Sequence, residues 1–293
     1  MTIKKWIKQN TPSLKGKRVI ITGATGGLGK EICSYFLSLG ANITLACRNK
    51  AKADSLKASL LNKYENASID FAYLDLTKKE SVDNCINELK KYNGIDILVN
   101  NAGIYNVPIK ILDSGYNNIF QVNFVYTYYL TQKILPELEK KDNSTCITLG
   151  SIAHNYSKID ENDIDFKKHK LQSKIYGNSK RFLMFSLYKL FENSKVNLAI
   201  VHPGVTLTNM TNHYPKIVNW IVKLGIKLFF PSPKKATLSV LSGINSSTRT
   251  FEWIGPSRFN IWGYPKKSKL DNCSIDEFEK ICEITNNIMS NLN

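Results

Sequence analysis

Short apolar runs alternate with longer stretches whose apolar residues repeat at helical spacing through most of the chain. Residues 18–22, Arg-Val-Ile-Ile-Thr, read as a buried first strand. A continuous β-branched run suits a strand covered on both faces. Residues 28–39 read as a helix with Gly40 as its stop signal. The pattern then predicts strands at 42–47, 69–74, 95–99, 145–149 and 196–201. Between them it predicts helices at 50–64, 77–92, 113–139 (in pieces) and 174–192. Thr77 and Glu80 make a capping-box pattern at the start of one of these helices. Past His202-Pro203-Gly204 the pattern loosens. Residues 217–230 and 234–244 look helical, and 250–254 fits a seventh, edge strand. Ile3, Trp6 and Ile7 fall at helical spacing, so an N-terminal extension, 1–16, is expected to form a short helix docked on the body.

This alternation predicts an α/β fold. The expected architecture is a doubly wound, Rossmann-type, mainly parallel sheet of about seven strands with helices on both faces. No Pro/Gly/Ser-rich linker divides the 293 residues, so 17–293 is expected to be a single domain.

The net charge of +16 raises an acidic partner such as nucleic acid or an anionic membrane. The lysines are scattered with no long basic block, which favours a compositional bias, and no nucleic acid is expected. The cysteines at 33, 47, 85, 146, 273 and 282 include no Cys-x-x-Cys pair, so no metal or redox motif is expected. A reducing, cytoplasmic compartment is the simplest expectation. The first residues lack the apolar region of a signal peptide. The segment 217–230 is broken by Asn219, Lys223 and Lys227, too short and too charged to span a bilayer.

The first strand runs into Thr-Gly-Ala-Thr-Gly-Gly-Leu-Gly, residues 22–29, which opens a helix. Glycines in that context permit close approach of backbone to phosphate, and the helix N-terminus presents free N–H groups to a pyrophosphate. Gly23, Thr25, Gly26, Gly27, Leu28 and Gly29 are the candidates. Gly23, Gly26 and Gly29 give one spacing, and Gly23, Gly27 and Gly29 another. The loop alone does not choose between nucleotide-sugar epimerases and short-chain dehydrogenases. Downstream, Tyr176 and Lys180 lie four apart on a predicted helix, hence on one face. A free tyrosine titrates near a pKa of about 10, and a nearby cation favours its phenolate. Tyr176 is therefore a candidate proton donor and acceptor, and Ser151 a candidate holder of a polarised oxygen.

Asn100-Asn101-Ala102-Gly103, Ser151, Tyr176-x-x-x-Lys180 and Pro203-Gly204 follow in order. In these the chain resembles the short-chain dehydrogenase/reductase family from about Lys17 to Thr208. The resemblance implies oxidoreduction between a carbonyl and an alcohol on a small-molecule substrate, using a nicotinamide cofactor. It implies catalytic roles for Asn123, Ser151, Tyr176 and Lys180, with Asn123 holding a relay water and Lys180 also bonding the nicotinamide ribose. It adds Asp75, Leu76, Asn101, Ala102, Gly103, Pro203, Gly204, Val205 and Thr206 to the cofactor site. At the end of the second strand an acidic residue would suit NAD and a basic one NADP. Arg48 stands there with no Asp or Glu beside it, so NADP(H) is expected over NAD(H).

The 25 positions from Ser151 to Tyr176, and Ser-Ile-Ala-His at 151–154, resemble the retinol dehydrogenase and protochlorophyllide reductase branch. A loop edging the active site is expected there, with His154 as a structural hydrogen-bonding residue. The region 205–235 is rich in apolar and aromatic residues. It reads as a lid for a lipophilic or aromatic aldehyde or ketone, as a peripheral membrane contact, or as core packing. A homo-oligomer is what the resemblance implies. An epimerase or dehydratase acting on nucleotide sugars, and a non-catalytic nucleotide sensor, are the alternatives.

Overall fold

A computed structural model describes residues 1–204 and 231–292. Val205, Thr206, the predicted helix 217–230 and most of the expected lid lie outside the described residues. The strands are β1 (Arg18–Thr22), β2 (Asn42–Cys47), β3 (Ile69–Tyr73), β4 (Ile97–Asn100), β5 (Thr145–Leu149), β6 (Asn197–Val201), β7 (Glu252–Arg258) and β8 (Trp262–Lys269). They form one sheet in the order β3-β2-β1-β4-β5-β6-β7-β8. All pairings are parallel except β7 with β8. The chain order reverses between β1 and β4, the place where open α/β sheets leave a crevice at their carboxyl ends.

Strand alternation explains why both faces are apolar. Ile20, Leu98, Cys146, Leu198 and Ile200 belong to one core cluster. Val19, Ile21, Val99, Ile147 and Ala199 belong to the other. Helices α2 (Gly27–Ser38) and α3 (Lys50–Leu61) contribute to the second cluster. Helix α4 (Lys79–Lys90), the short α5 (Asn118–Phe120), α6 (Tyr126–Glu139) and α7 (Gln172–Phe191) feed the first. The N-terminal helix α1 (Ile3–Asn10) docks as expected: Trp6 is 5% exposed and stacks on Tyr264 of β8. Helix α8 (Pro233–Ser242), capped by Ser232, lies on the same side.

Three local expectations need correction. The capping box at Thr77 does not form. Helix α4 starts at Lys79, and Asp75 Oδ1 instead accepts from the Thr77 amide at 3.0 Å and the Thr77 hydroxyl at 2.7 Å. The seventh strand is not an edge, because β8 pairs outside it. Strand β8 carries Pro265 and several lysines, residues that blunt an exposed edge and also hide a strand from a hydrophobicity pattern. The third concerns the tail, which holds a regular helix, α9 (Ile275–Ser290), capped by Ser274 and buried through Ile281, Ile288 and Met289. Among the described residues, no helix is long and apolar enough to cross a membrane.

Candidate active site

The site is built where β1 and β4 part. Gly23 follows β1 with φ +63°, and a Cβ there would stand 2.8 Å from Ala102 Cα. Only glycine lets the two crossing segments touch. They are also tied by hydrogen bonds. Thr22 Oγ1 accepts from the amides of Asn101 and Ala102, and Asn101 Nδ2 donates to the carbonyls of Thr22 and Gly23. Gly29 seats α2 against the loop, since a Cβ there would fall 2.4 Å from the Gly23 carbonyl oxygen. Gly26 is the N-cap of α2 and has no side chain to bond the first-turn amides. Those N–H groups and the helix dipole are left for an anion.

A cleft of about 630 Å³ opens from this loop and crosses the carboxyl ends of the strands. Gly23, Thr25, Gly26, Gly27, Leu28, Gly29, Arg48, Asp75, Leu76, Asn101, Ala102, Gly103, Ser151, Tyr176, Lys180, Pro203 and Gly204 all line it. Arg48 is exposed at the rim beside Asn49 and Lys52. The Asn49 side chain accepts from the Lys52 amide and so starts α3 at this point. Lys52, Ile104, Tyr105, Ile152, Tyr156 and His202 also line the cleft and escaped the sequence reading. Tyr105 is two residues past Gly103, an adjacency that was available as a signal.

Ser151 lies two residues past β5 and caps a 3-10 turn (Ile152–Tyr156), its hydroxyl accepting from the Ala153 amide at 3.2 Å. Gly177 in α7 packs on that turn; a Cβ there would stand 2.2 Å from the Ala153 carbonyl oxygen. This close approach brings Tyr176 beside Ser151. Tyr176 retains some exposure to the cleft, while the Tyr105 ring tilts against it at 5.0 Å between centroids. Burial pushes its phenol up to about 12, and a hydrogen bond with Ser151 pulls the other way. Lys180 is buried, donates to the Leu149 carbonyl at 2.8 Å, and lies 6.0 Å from the Tyr176 ring centre. Burial lowers its pKa to about 8. Burial thus raises the phenol and lowers the amine, and the one influence that lowers the Tyr176 pKa comes from Ser151.

Asn123 is buried behind the cleft rather than lining it. It sits in a π-helical turn (Gln121–Val125), a break common at functional sites. Its amide accepts from Ile104 N at 2.8 Å and donates to Ile104 O and Ser179 Oγ. Its Oδ1 lies 3.3 Å from the position a Gly103 Cβ would occupy, and Lys180 Nζ lies 3.8 Å from the same point. His154 is buried; its Nδ1 lies 2.6 Å from the Ser151 carbonyl oxygen.

Comparison with known proteins agrees with this geometry. The sequence profile of the family described as short chain dehydrogenase matches residues 17–217. Retinol dehydrogenase 12 of Mus musculus is 32% identical over 212 residues, covering 71% of this chain and 67% of that protein. Short-chain dehydrogenase TIC 32 B, chloroplastic, of Brassica napus is 31% identical, covering 69% and 68%. The chain thus spans about two thirds of the length of these relatives. A crystal structure of an uncharacterized protein from Mycobacterium paratuberculosis superimposes with a TM-score of 0.72 at 20% identity, covering 97% of this chain and 96% of the other. That likeness concerns the fold.

Proposed function

The chain belongs to the short-chain dehydrogenase family, and from that premise we propose an NADP(H)-dependent oxidoreductase interconverting a carbonyl and an alcohol on a lipophilic or aromatic substrate. The observation that carries the proposal is the convergence of Ser151, Tyr176 and Lys180 in the cleft that the glycine loop opens. The residues fit a dinucleotide. Gly23 and Gly29 let the loop pack closely on Ala102 and on α2, and the first turn of α2 offers its amides. Arg48, Lys52 and the N-terminus of α3 together favour an added phosphate on the ribose.

A bound nicotinamide supplies the hydride. The protein's part is to hold oxygen and move a proton. In this reading the Ser151 hydroxyl, bonded to the Tyr176 phenol, holds the substrate oxygen. With a pKa of about 12, that phenol keeps its proton throughout the neutral range, so it serves as general acid in carbonyl reduction. Lys180, at about 8, is mostly protonated at neutral pH and steadies the negative charge that tyrosine gains. Ile104, Tyr105, Ile152 and Tyr156 give the cleft apolar and aromatic walls, which suits a lipophilic carbonyl. Cys33, Cys47, Cys85 and Cys146 are packed as small core residues, and a reducing, cytoplasmic location is part of the same proposal.

The test is fluorescence titration of NADPH and NADH into wild type and Arg48→Ala, followed by turnover of nonanal, benzaldehyde and all-trans-retinal. Tight NADPH binding that weakens on mutation, with turnover of at least one aldehyde, is expected. Failure to bind either nucleotide overturns the proposal.

A further inference from the structure

Lys180 is followed in α7 by Arg181, a fully buried arginine at 1% exposure. Its guanidinium reaches three separate segments. Nε donates to Glu277 Oε1 at 2.8 Å and Nη2 to Glu277 Oε2 at 2.5 Å. Nη2 also donates to the Asn272 carbonyl at 2.6 Å, and Nη1 to the His154 carbonyl at 3.1 Å. Glu277 lies in the first turn of α9, where a carboxylate is favoured, and its Oε1 also accepts from the Ile159 amide. His154 closes the loop. Its Nδ1 meets the Ser151 carbonyl at 2.6 Å and its Nε2 meets Asn272 Oδ1 at 3.1 Å.

A buried ion pair is poor evidence for stability, because desolvation consumes most of the attraction. What the pair does provide is a fixed geometry among the segments it joins. Ser151 has left the β5 ladder and sits on a 3-10 turn that leads into the long segment 157–171. That turn is fixed from outside, by Gly177 against the Ala153 carbonyl and by Arg181 on the His154 carbonyl. Arg181 and Tyr176 belong to one helix, and the guanidinium that ties α9 to α7 through Glu277 also holds the turn that carries Ser151, through the His154 carbonyl.

We infer that the Arg181–Glu277 pair is a positioning device: it couples the C-terminal helix α9 to the catalytic serine through His154, and holds the Ser151 hydroxyl against the Tyr176 phenol. This rests on the oxidoreductase reading above. The pair touches no residue of the glycine loop or of Arg48, so nucleotide binding should be indifferent to it.

The experiment compares Arg181→Met, Glu277→Gln and the apolar double variant Arg181→Met/Glu277→Leu with wild type. It measures melting temperature, the NADPH dissociation constant, and kcat and KM for the best aldehyde of the panel. Removing one partner strands a buried charge, so the single variants melt earlier. The double variant removes both charges and regains much of the melting temperature. Its kcat nevertheless stays roughly 10- to 100-fold below wild type, the scale of a misplaced reacting group. NADPH affinity stays within about twofold in the double variant. Recovery of kcat together with melting temperature in the double variant reduces the pair to a structural tie and overturns the inference. So does a fall in NADPH affinity that matches the fall in kcat. Wild-type protein that binds no nicotinamide instead defeats the oxidoreductase reading.

Discussion

Lys180→Met should make the ligand-free protein more stable at neutral pH while abolishing its chemistry. Lys180 is buried, and its pKa falls from the ordinary 10.5 to about 8 because burial disfavours the charged amine. Each tenfold change in proton affinity is worth about 1.4 kcal/mol, so keeping the amine protonated at pH 7 costs the folded state roughly 3 kcal/mol. Methionine has similar reach and no charge. It gives up the bond to the Leu149 carbonyl, worth about 1–2 kcal/mol. The net expectation at pH 7 is a gain of about 1–2 kcal/mol. The sign with pH follows from proton counts. Between about 8 and 10.5 the unfolded lysine holds a proton that the folded one has released, so wild-type stability rises with pH through that window. The variant lacks this contribution, and its advantage should vanish by about pH 10.5. Urea unfolding of both proteins at pH 7, 8, 9 and 10.5 measures the difference directly, with other titrating groups cancelling. A variant less stable than wild type at pH 7, or a gap that does not change between pH 8 and 10.5, refutes the reasoning. NADPH oxidation with an aldehyde should fall by roughly two orders of magnitude or more in the same variant.

Three further outcomes follow from particular contacts. Tyr176→Phe removes the proton donor and leaves the glycine loop untouched, so steady-state turnover should drop roughly 10²- to 10⁴-fold while NADPH titration is nearly unchanged. Gly29→Ala drives a methyl to 2.4 Å from one backbone oxygen and 2.8 Å from another, so α2 must shift. A loss of roughly 1–3 kcal/mol in unfolding free energy and a sharp loss of NADPH affinity are expected, whereas Gly26→Ala, 3.2 Å from the Gly23 carbonyl oxygen at the N-cap, asks for a smaller shift and should lose less than Gly29→Ala. His202 is buried, stacked on Trp253, and held by burial at about 4, below the ordinary 6.5. Its folded form resists protonation, so stability is lost as pH falls from about 6.5 to 4; His202→Phe keeps the stack and should flatten that part of an acid-unfolding profile.

The six parallel strands from Arg18 to Val201, the glycine loop and the Tyr176/Lys180 spacing were legible in the chain, because each is a short-range property. Buried strands announce themselves by apolar runs, helices by their period, and a phosphate loop by glycines between the two. Strand β8 was not legible, since its Lys266, Lys267, Lys269 and Pro265 serve an exposed edge and carry no apolar signal. Asn123 was placed near the chemistry, but only the fold shows it bracing Ile104 from behind the cleft. Nothing in the chain's local pattern singles out Arg181. Its burial depends on Glu277, 96 positions away, and no local pattern encodes that partner. The proton affinities of Tyr176 and Lys180 belong to the same class. Residue types and spacing determined which groups this protein has for holding a dinucleotide and moving a proton. How far each is desolvated, and what presses Ser151 against Tyr176, was decided by packing between distant segments, because the cost of burying charge is a property of the assembled interior.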